Sequence, residues 1–121
     1  MFESDYQRIL LLAVPTSFPD WRFFRRNSGL VPMADGRRFR SAVPGQCDLY
    51  AIQFETGRHV EIELKNAGKK LSKEQENWRL WCLAWSVPYA LLTVSRDDAS
   101  PEATVSRWIG ELRAALPTRT L

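Results

Sequence analysis

The spacing of apolar residues along the chain separates helical from extended segments. Residues 2–14 place Ile9, Leu10, Leu12 and Ala13 behind a polar first turn, which predicts a helix ended by Pro15 and Pro19. Residues 21–26 are aromatic and arginine-rich and suit a strand, broken by Asn27-Ser28-Gly29. Residues 30–46 read as irregular, with turn signals at Asp35-Gly36 and Pro44-Gly45 and room for a short strand over 37–41. Two clear strands follow, 47–54 and 58–65, around the turn Glu55-Thr56-Gly57. Ser72 with Gln75 three residues on is a capping-box pattern, opening a tryptophan-rich helix that reaches about Trp85 and is stopped by Pro88. Residues 89–94 form a short apolar run, expected of a strand buried on both faces. Ser100-Pro101-Glu102 supplies a cap, a proline for the first helical position and an acid near the positive dipole end. Val105, Trp108, Ile109 and Leu112 then make one apolar stripe, and the tail after Pro117 is expected to fray.

The order is helix, a few strands, hairpin, helix, strand, helix. It predicts a mixed α/β (α+β) domain with helices packed on a small central sheet. The 121 residues suffice for one core and are too few for two. Hydrophobic residues make up 45% and charged residues 26%, an ordinary globular balance that argues against a disordered chain. No apolar run approaches the roughly 20 residues that span a bilayer. The acidic start, Glu3 and Asp5, is the wrong charge for a secretory signal. The two cysteines, Cys47 and Cys82, form no CxxC pair, so a reducing, cytoplasmic setting is expected.

A formal charge of +3 says little by itself, and its placement says more. Arg22, Arg25, Arg26, Arg37, Arg38 and Arg40 crowd one stretch, and Lys69, Lys70 and Lys73 form a second group. Clustered cations neutralise phosphates and release counterions. A solvated basic face is the plain alternative. Arg25, Arg26 and Asn27 are the better candidates for phosphate contact, with Lys69 and Lys70 beside them.

The hairpin carries the candidate chemistry. Placing Glu55 opposite Arg58 pairs Ile52 with Glu61, Tyr50 with Glu63 and Asp48 with Lys65. One face then holds Cys47, Leu49, Ala51, Val60, Ile62 and Leu64, and the other Asp48, Glu61, Glu63 and Lys65. Cross-strand neighbours lie about 5 Å apart and diagonal ones about 7 Å, so two carboxylates and an ammonium group converge. Carboxylates that close repel unless a cation intervenes. A hard divalent cation suits Asp48 and Glu63, with the backbone carbonyl of Leu64 as a third ligand. Lys65 would then orient or deprotonate a water. Alternating acids and lysines also occur as nothing more than a solvated face with a cross-strand ion pair, and spacing leaves both readings open. Glu61 is expected to be an auxiliary surface charge, and His59 to be exposed near the turn. Trp78, Trp81 and Trp85 span too much helix for one stacking platform and are expected in the core or at a subunit interface.

Gly45-Gln46-Cys47-Asp48, a hairpin, and Glu63-Leu64-Lys65 together resemble the PD-(D/E)XK nuclease superfamily. Leu71-Ser72-Lys73-Glu74-Gln75 with Trp78, and Arg25-Arg26-Asn27-Ser28-Gly29 upstream, narrow the resemblance to the VRR-NUC branch over residues 3–94. The residue before the aspartate is usually proline there and is Cys47 here. The resemblance implies a restriction-endonuclease-like core and Mg²⁺- or Mn²⁺-dependent hydrolysis of DNA, with a preference for branched DNA such as Holliday junctions. It implies Asp48 and Glu63 as metal ligands, Lys65 as the catalytic lysine, Glu3 as a supporting acid and Gln75 as a further site residue. Standalone members are similar to junction-resolving enzymes that work as homodimers, so a homodimer is expected. The rivals are a non-catalytic DNA-binding module, and a nuclease of this fold acting on flaps, plain duplex or RNA. The module predicts a damaged triad, whereas Asp48, Glu63 and Lys65 are all present.

Overall fold

The computed structural model describes residues 3–26, 30–32, 34–40 and 43–117; for 3, 4, 30–32 and 38–40 it describes the backbone alone. Asn27 and the tail beyond Pro117 lie outside the described residues. Among these, α1 is Glu3–Ser17, β1 Trp21–Arg25, β2 Leu30–Pro32, β3 Arg38–Arg40, β4 Leu49–Gln53, β5 His59–Lys65, α2 Lys73–Ala84, β6 Tyr89–Thr93 and α3 Pro101–Ala115. The main sheet runs β1-β4-β5-β6, with β1 and β5 antiparallel to β4 and with β6 parallel to β5. β2 and β3 form a separate antiparallel ribbon, where the sequence suggested only the second of the two strands. The domain is therefore mixed α/β, as expected, with helices on a four-stranded mixed sheet.

One sheet face carries the core. Leu49, Ala51, Val60, Ile62, Leu64 and Leu92 pack against Leu10, Val14 and Phe18 of α1 and its exit, and against Val105, Trp108 and Leu112 of α3. This is the apolar stripe expected of α3 meeting the period-two apolar face of the hairpin. α1 runs through Pro15 to Ser17 instead of ending there. A proline in the last turn forfeits a single backbone bond, and the extra turn carries Val14 and Phe18 into the core. α3 starts on the Ser100 cap, whose hydroxyl accepts from the Ala103 amide. It is tied to the end of β6 by Arg107 and Trp108, which both donate to the Thr93 carbonyl. β6 is an edge strand, and Leu91 is 41% exposed, so the run read as doubly buried is covered fully on one face only. No helix among the described residues is long and apolar enough to cross a membrane.

The hairpin differs from expectation by two residues. Ile52 pairs with His59, Tyr50 with Glu61 and Leu49 with Ile62. The connection is four residues, 54–57, rather than two, because the Gln53 amide bonds the Arg58 carbonyl and Gly57 bonds back to Gln53. Glu55 and Gly57 take positive φ (67° and 68°), and the Phe54 amide is drawn to the Asp20 carbonyl. A slip of two preserves the face assignments within β4 and β5, whereas a slip of one would have inverted the hairpin. It moves Asp48 from beside Lys65 to the level of Glu63.

Candidate metal-binding nuclease site

α2 covers the second face of the sheet, where Glu61 and Glu63 point. Both carboxylates are 1% exposed. The capping box forms as expected: the Gln75 amide donates to the Ser72 hydroxyl, and the Gln75 side-chain oxygen accepts from the Ser72 amide. The other end of that side chain donates to Glu63 Oε1 at 3.0 Å. The anticipated cap and the bond to Glu63 therefore share one amide group.

Asp48 reaches the same place from the other side. It sits at a bend just before β4, and its carbonyl accepts from the Arg26 amide at 2.7 Å, extending the β1–β4 register by one residue. Asp48, Ser72, Glu74 and Gln75 line a polar cleft of about 550 Å³, together with residues 43–46. Gly45 makes this convergence possible. Its φ is +85°, and a Cβ there would lie 2.2 Å from the Glu74 carbonyl oxygen and 2.8 Å from the Gln75 nitrogen. Backbone rests on backbone, which brings the Asp48 loop onto the first turn of α2.

The ladder to β4 stops at Leu49–Ile62. Glu61 and Lys65 bond with their main-chain groups toward β6, through the Pro88 carbonyl and the Val94 amide. Alternation then aims the Leu64 carbonyl toward the β4 side, at the level of Cys47, beyond the end of the ladder. Asp48 on the cleft, Glu63 bonded to Gln75 and the Leu64 carbonyl would supply oxygen donors only. Among the described residues no group of three or more His, Cys, Asp or Glu side chains forms a metal cage. Two carboxylates and a carbonyl, with the remaining positions left to water, fit Mg²⁺ or Mn²⁺ better than an ion that needs a full protein cage. Lys65 follows on the same strand face and is half-buried, and among the described residues no hydrogen bond or ion pair holds its ammonium group. Glu3 is the first residue of α1, and its side chain lies outside the described ones.

The surrounding residues bring four corrections. Glu61 is a buried hub instead of a surface charge. It accepts two bonds from the Arg26 guanidinium (2.7 and 2.9 Å), one from Trp78 Nε1 (3.2 Å), and contacts His59 Nε2. Burial pushes its carboxyl up, but the Arg26 and His59 hydrogen bonds outweigh that and hold it below the ordinary value. Arg26, expected to meet phosphate, therefore points inward, and His59 is held between Glu61 and a stack on Tyr50. Cys47, expected beside Leu49, is fully buried, and its thiol is pushed up by burial and then by Glu63 and Glu61. It stands outside the apolar cluster that Leu49 joins, because the strand begins only at Leu49. The tryptophans do form one run: Trp78 and Trp81 stack at 4.8 Å, and Trp81 and Trp85 at 6.0 Å. Spacings of three and four residues put the three rings on one helical stripe, a signal that was present in the sequence.

Of the basic residues, Arg25 is exposed on the opposite face of β1 from Arg26 and donates to Gln7 at 2.6 Å. Lys69 and Lys70 are exposed in the loop between Lys65 and α2, close in sequence to the site. The structure thus places Asp48 and Gln75 on one cleft and bonds Gln75 to Glu63, while Arg25 lies by Gln7 of α1. Arg26 and Glu61 are the neighbours whose tasks the sequence did not disclose. Compared with family models, curated proteins and solved structures, the chain matches none.

Proposed function

We propose that this protein is a Mg²⁺- or Mn²⁺-dependent DNA endonuclease of the PD-(D/E)XK type, VRR-NUC branch, with a restriction-endonuclease-like core. The observation that carries the reading is that Asp48 and Gln75 line one polar cleft and that Gln75 donates to the buried Glu63 carboxylate, two residues before Lys65 on β5. Asp48, Glu63 and the Leu64 carbonyl would hold the metal, with Glu3 assisting through water. The bound cation would supply Lewis-acid polarisation of the phosphodiester and a lowered water pKa. Gln75 fixes the Glu63 carboxylate, Lys65 orients the attacking water and stabilises the charge of the transition state, and the exposed Lys69, Lys70 and Arg25 bind DNA phosphates. Arg26 is left out of the phosphate set, because Glu61 occupies its guanidinium. Branched DNA is the proposed substrate, and the cytoplasm of a bacterium or of a phage-infected host the proposed setting.

The test is cleavage of end-labelled four-way junction, flap, duplex and single strand with Mg²⁺, with Mn²⁺ and with a chelator. Metal-dependent, symmetric cuts in the junction are expected. Flap cutting alone would keep the chemistry and change the biology, and tight metal-independent binding without any cutting would favour a DNA-binding module.

The homodimer belongs to the same proposal. α2 buries one residue, Cys82, and leaves Leu80, Trp81, Leu83 and Trp85 exposed at 48, 43, 69 and 70%. An apolar face of that kind on a soluble domain marks an interface. In sedimentation at micromolar concentration the wild type is expected to be a dimer and Leu83→Arg/Trp85→Arg a folded monomer. A monomeric wild type would reject this face as the contact.

A further inference from the structure

We infer that Arg26 and Glu61 form a buried clamp that positions Asp48 against Glu63. The inference rests on the proposed reading of the site and adds two residues that touch neither metal nor DNA in it. Arg26 directly follows β1, and from there it reaches three other segments. Its main-chain amide donates to the Asp48 carbonyl at 2.7 Å. Its Nη1 donates to the Cys47 carbonyl at 2.8 Å and to Glu61 Oε1 at 2.7 Å, while Nη2 donates to Glu61 Oε2 at 2.9 Å. The guanidinium also lies over the Tyr50 ring, 4.8 Å from its centroid. Two consecutive carbonyls of the Asp48 segment are thus held by one residue.

The other half of the clamp is on the strand that bears Glu63. Glu61 precedes Glu63 by two positions on the same face of β5, with its side chain 2% exposed. Its remaining capacity accepts from Trp78 of α2, one turn beyond the Gln75 that holds Glu63. Removing these groups from water is costly, and a bidentate pair often adds little net stability over apolar residues of the same size. What the planar fork supplies is direction: two parallel bonds fix the angle between β1 and β5, and the shared Nη1 carries that angle to Cys47. Among the described residues the β4–β5 ladder starts only at Leu49, so this fork and the Gly45 contact with α2 help to locate Asp48.

Two variants test the clamp in the full chain. Arg26→Met/Glu61→Leu removes both charges at similar volume, so the fold is retained. Arg26→Lys keeps the charge and loses the fork. Amide hydrogen exchange reads the segment itself, and Mn²⁺ affinity, measured by electron paramagnetic resonance of the free ion, reads the site without turnover. In the double variant, exchange over residues 43–50 is expected to accelerate about tenfold or more, and Mn²⁺ affinity to fall roughly 10–100-fold, the usual cost of losing an outer partner of a metal ligand. Exchange in α3 and the unfolding midpoint should stay unchanged, and Arg26→Lys should lie between. Wild-type exchange over 43–50 and wild-type Mn²⁺ affinity in both variants would overturn the clamp. A wild-type protein that binds no Mn²⁺ would sink the nuclease reading, and the exchange data would still decide the positioning role.

Discussion

Lys65→Ala is expected to lower metal-dependent cleavage by about 10²–10⁴-fold, the span usual for losing a positioned general acid or base. The same variant should bind Mn²⁺ as the wild type does, because Lys65 contributes no ligand to the donor set. Its unfolding free energy should change by no more than about 0.5 kcal/mol, since the side chain is half-buried at the end of β5 with no described partner to abandon. Asp48→Ala, by contrast, should lose both cleavage and Mn²⁺ affinity. The pair of measurements separates the two roles: loss of rate with retained metal for Lys65, loss of both for Asp48. A Lys65→Ala protein as active as wild type would remove it from the catalytic set. Parallel loss of metal binding would make it a structural support for the ligands instead.

Gly45→Ala should damage both stability and activity. The substituted residue must keep φ near +85° against its preference, at a cost of about 1–3 kcal/mol. It also places a methyl carbon 2.2 Å from the Glu74 carbonyl oxygen, a contact with main chain that no rotamer change relieves. The loop must therefore lift off the first turn of α2, and Asp48 moves with it. A displacement of about 1 Å is enough to cost on the order of 10²-fold in rate. Denaturant unfolding and single-turnover cleavage check the two effects separately. The expected pattern is a drop of roughly 3 kcal/mol in stability, together with a rate loss that persists well below the unfolding midpoint. An alanine variant with wild-type stability would mean that the 43–48 loop does not rest on α2 in solution. Gly57, also at positive φ, is the useful contrast. A Cβ there meets nothing within 4 Å, so Gly57→Ala should carry the backbone cost alone.

Much of this architecture is legible along the chain. Alternation over 58–65 and the breaks around it define β5. The Ser72–Gln75 pair defines the start of α2, and Ser100-Pro101 the start of α3. These signals are local: caps, turns and period-two faces are set by residues within one or two turns of each other. The face assignments within β4 and β5 survived an error in register for the same reason, since a shift of two leaves parity intact, while Cys47, before the strand begins, did not follow them.

What only the tertiary structure decided depends on partners far apart in sequence. The hairpin length follows from Asp20 drawing in the Phe54 amide, a contact across 34 residues that no turn propensity contains. Glu61 and Glu63 look alike in an E-x-E-x-K run. They part company because Arg26, 35 residues away, neutralises the first, while Gln75 of α2 donates to the second. Arg26 itself reads as one more cation in a basic stretch until a buried carboxylate with room for a bidentate pair is found opposite it. Sequence by itself determined the elements, their apolar faces and the residues capable of the chemistry, because those follow from local geometry and side-chain type. Which carboxylate faces the cleft, which arginine turns inward and where the loops meet α2 were decided by packing, because burial makes each charge depend on whatever the fold sets against it.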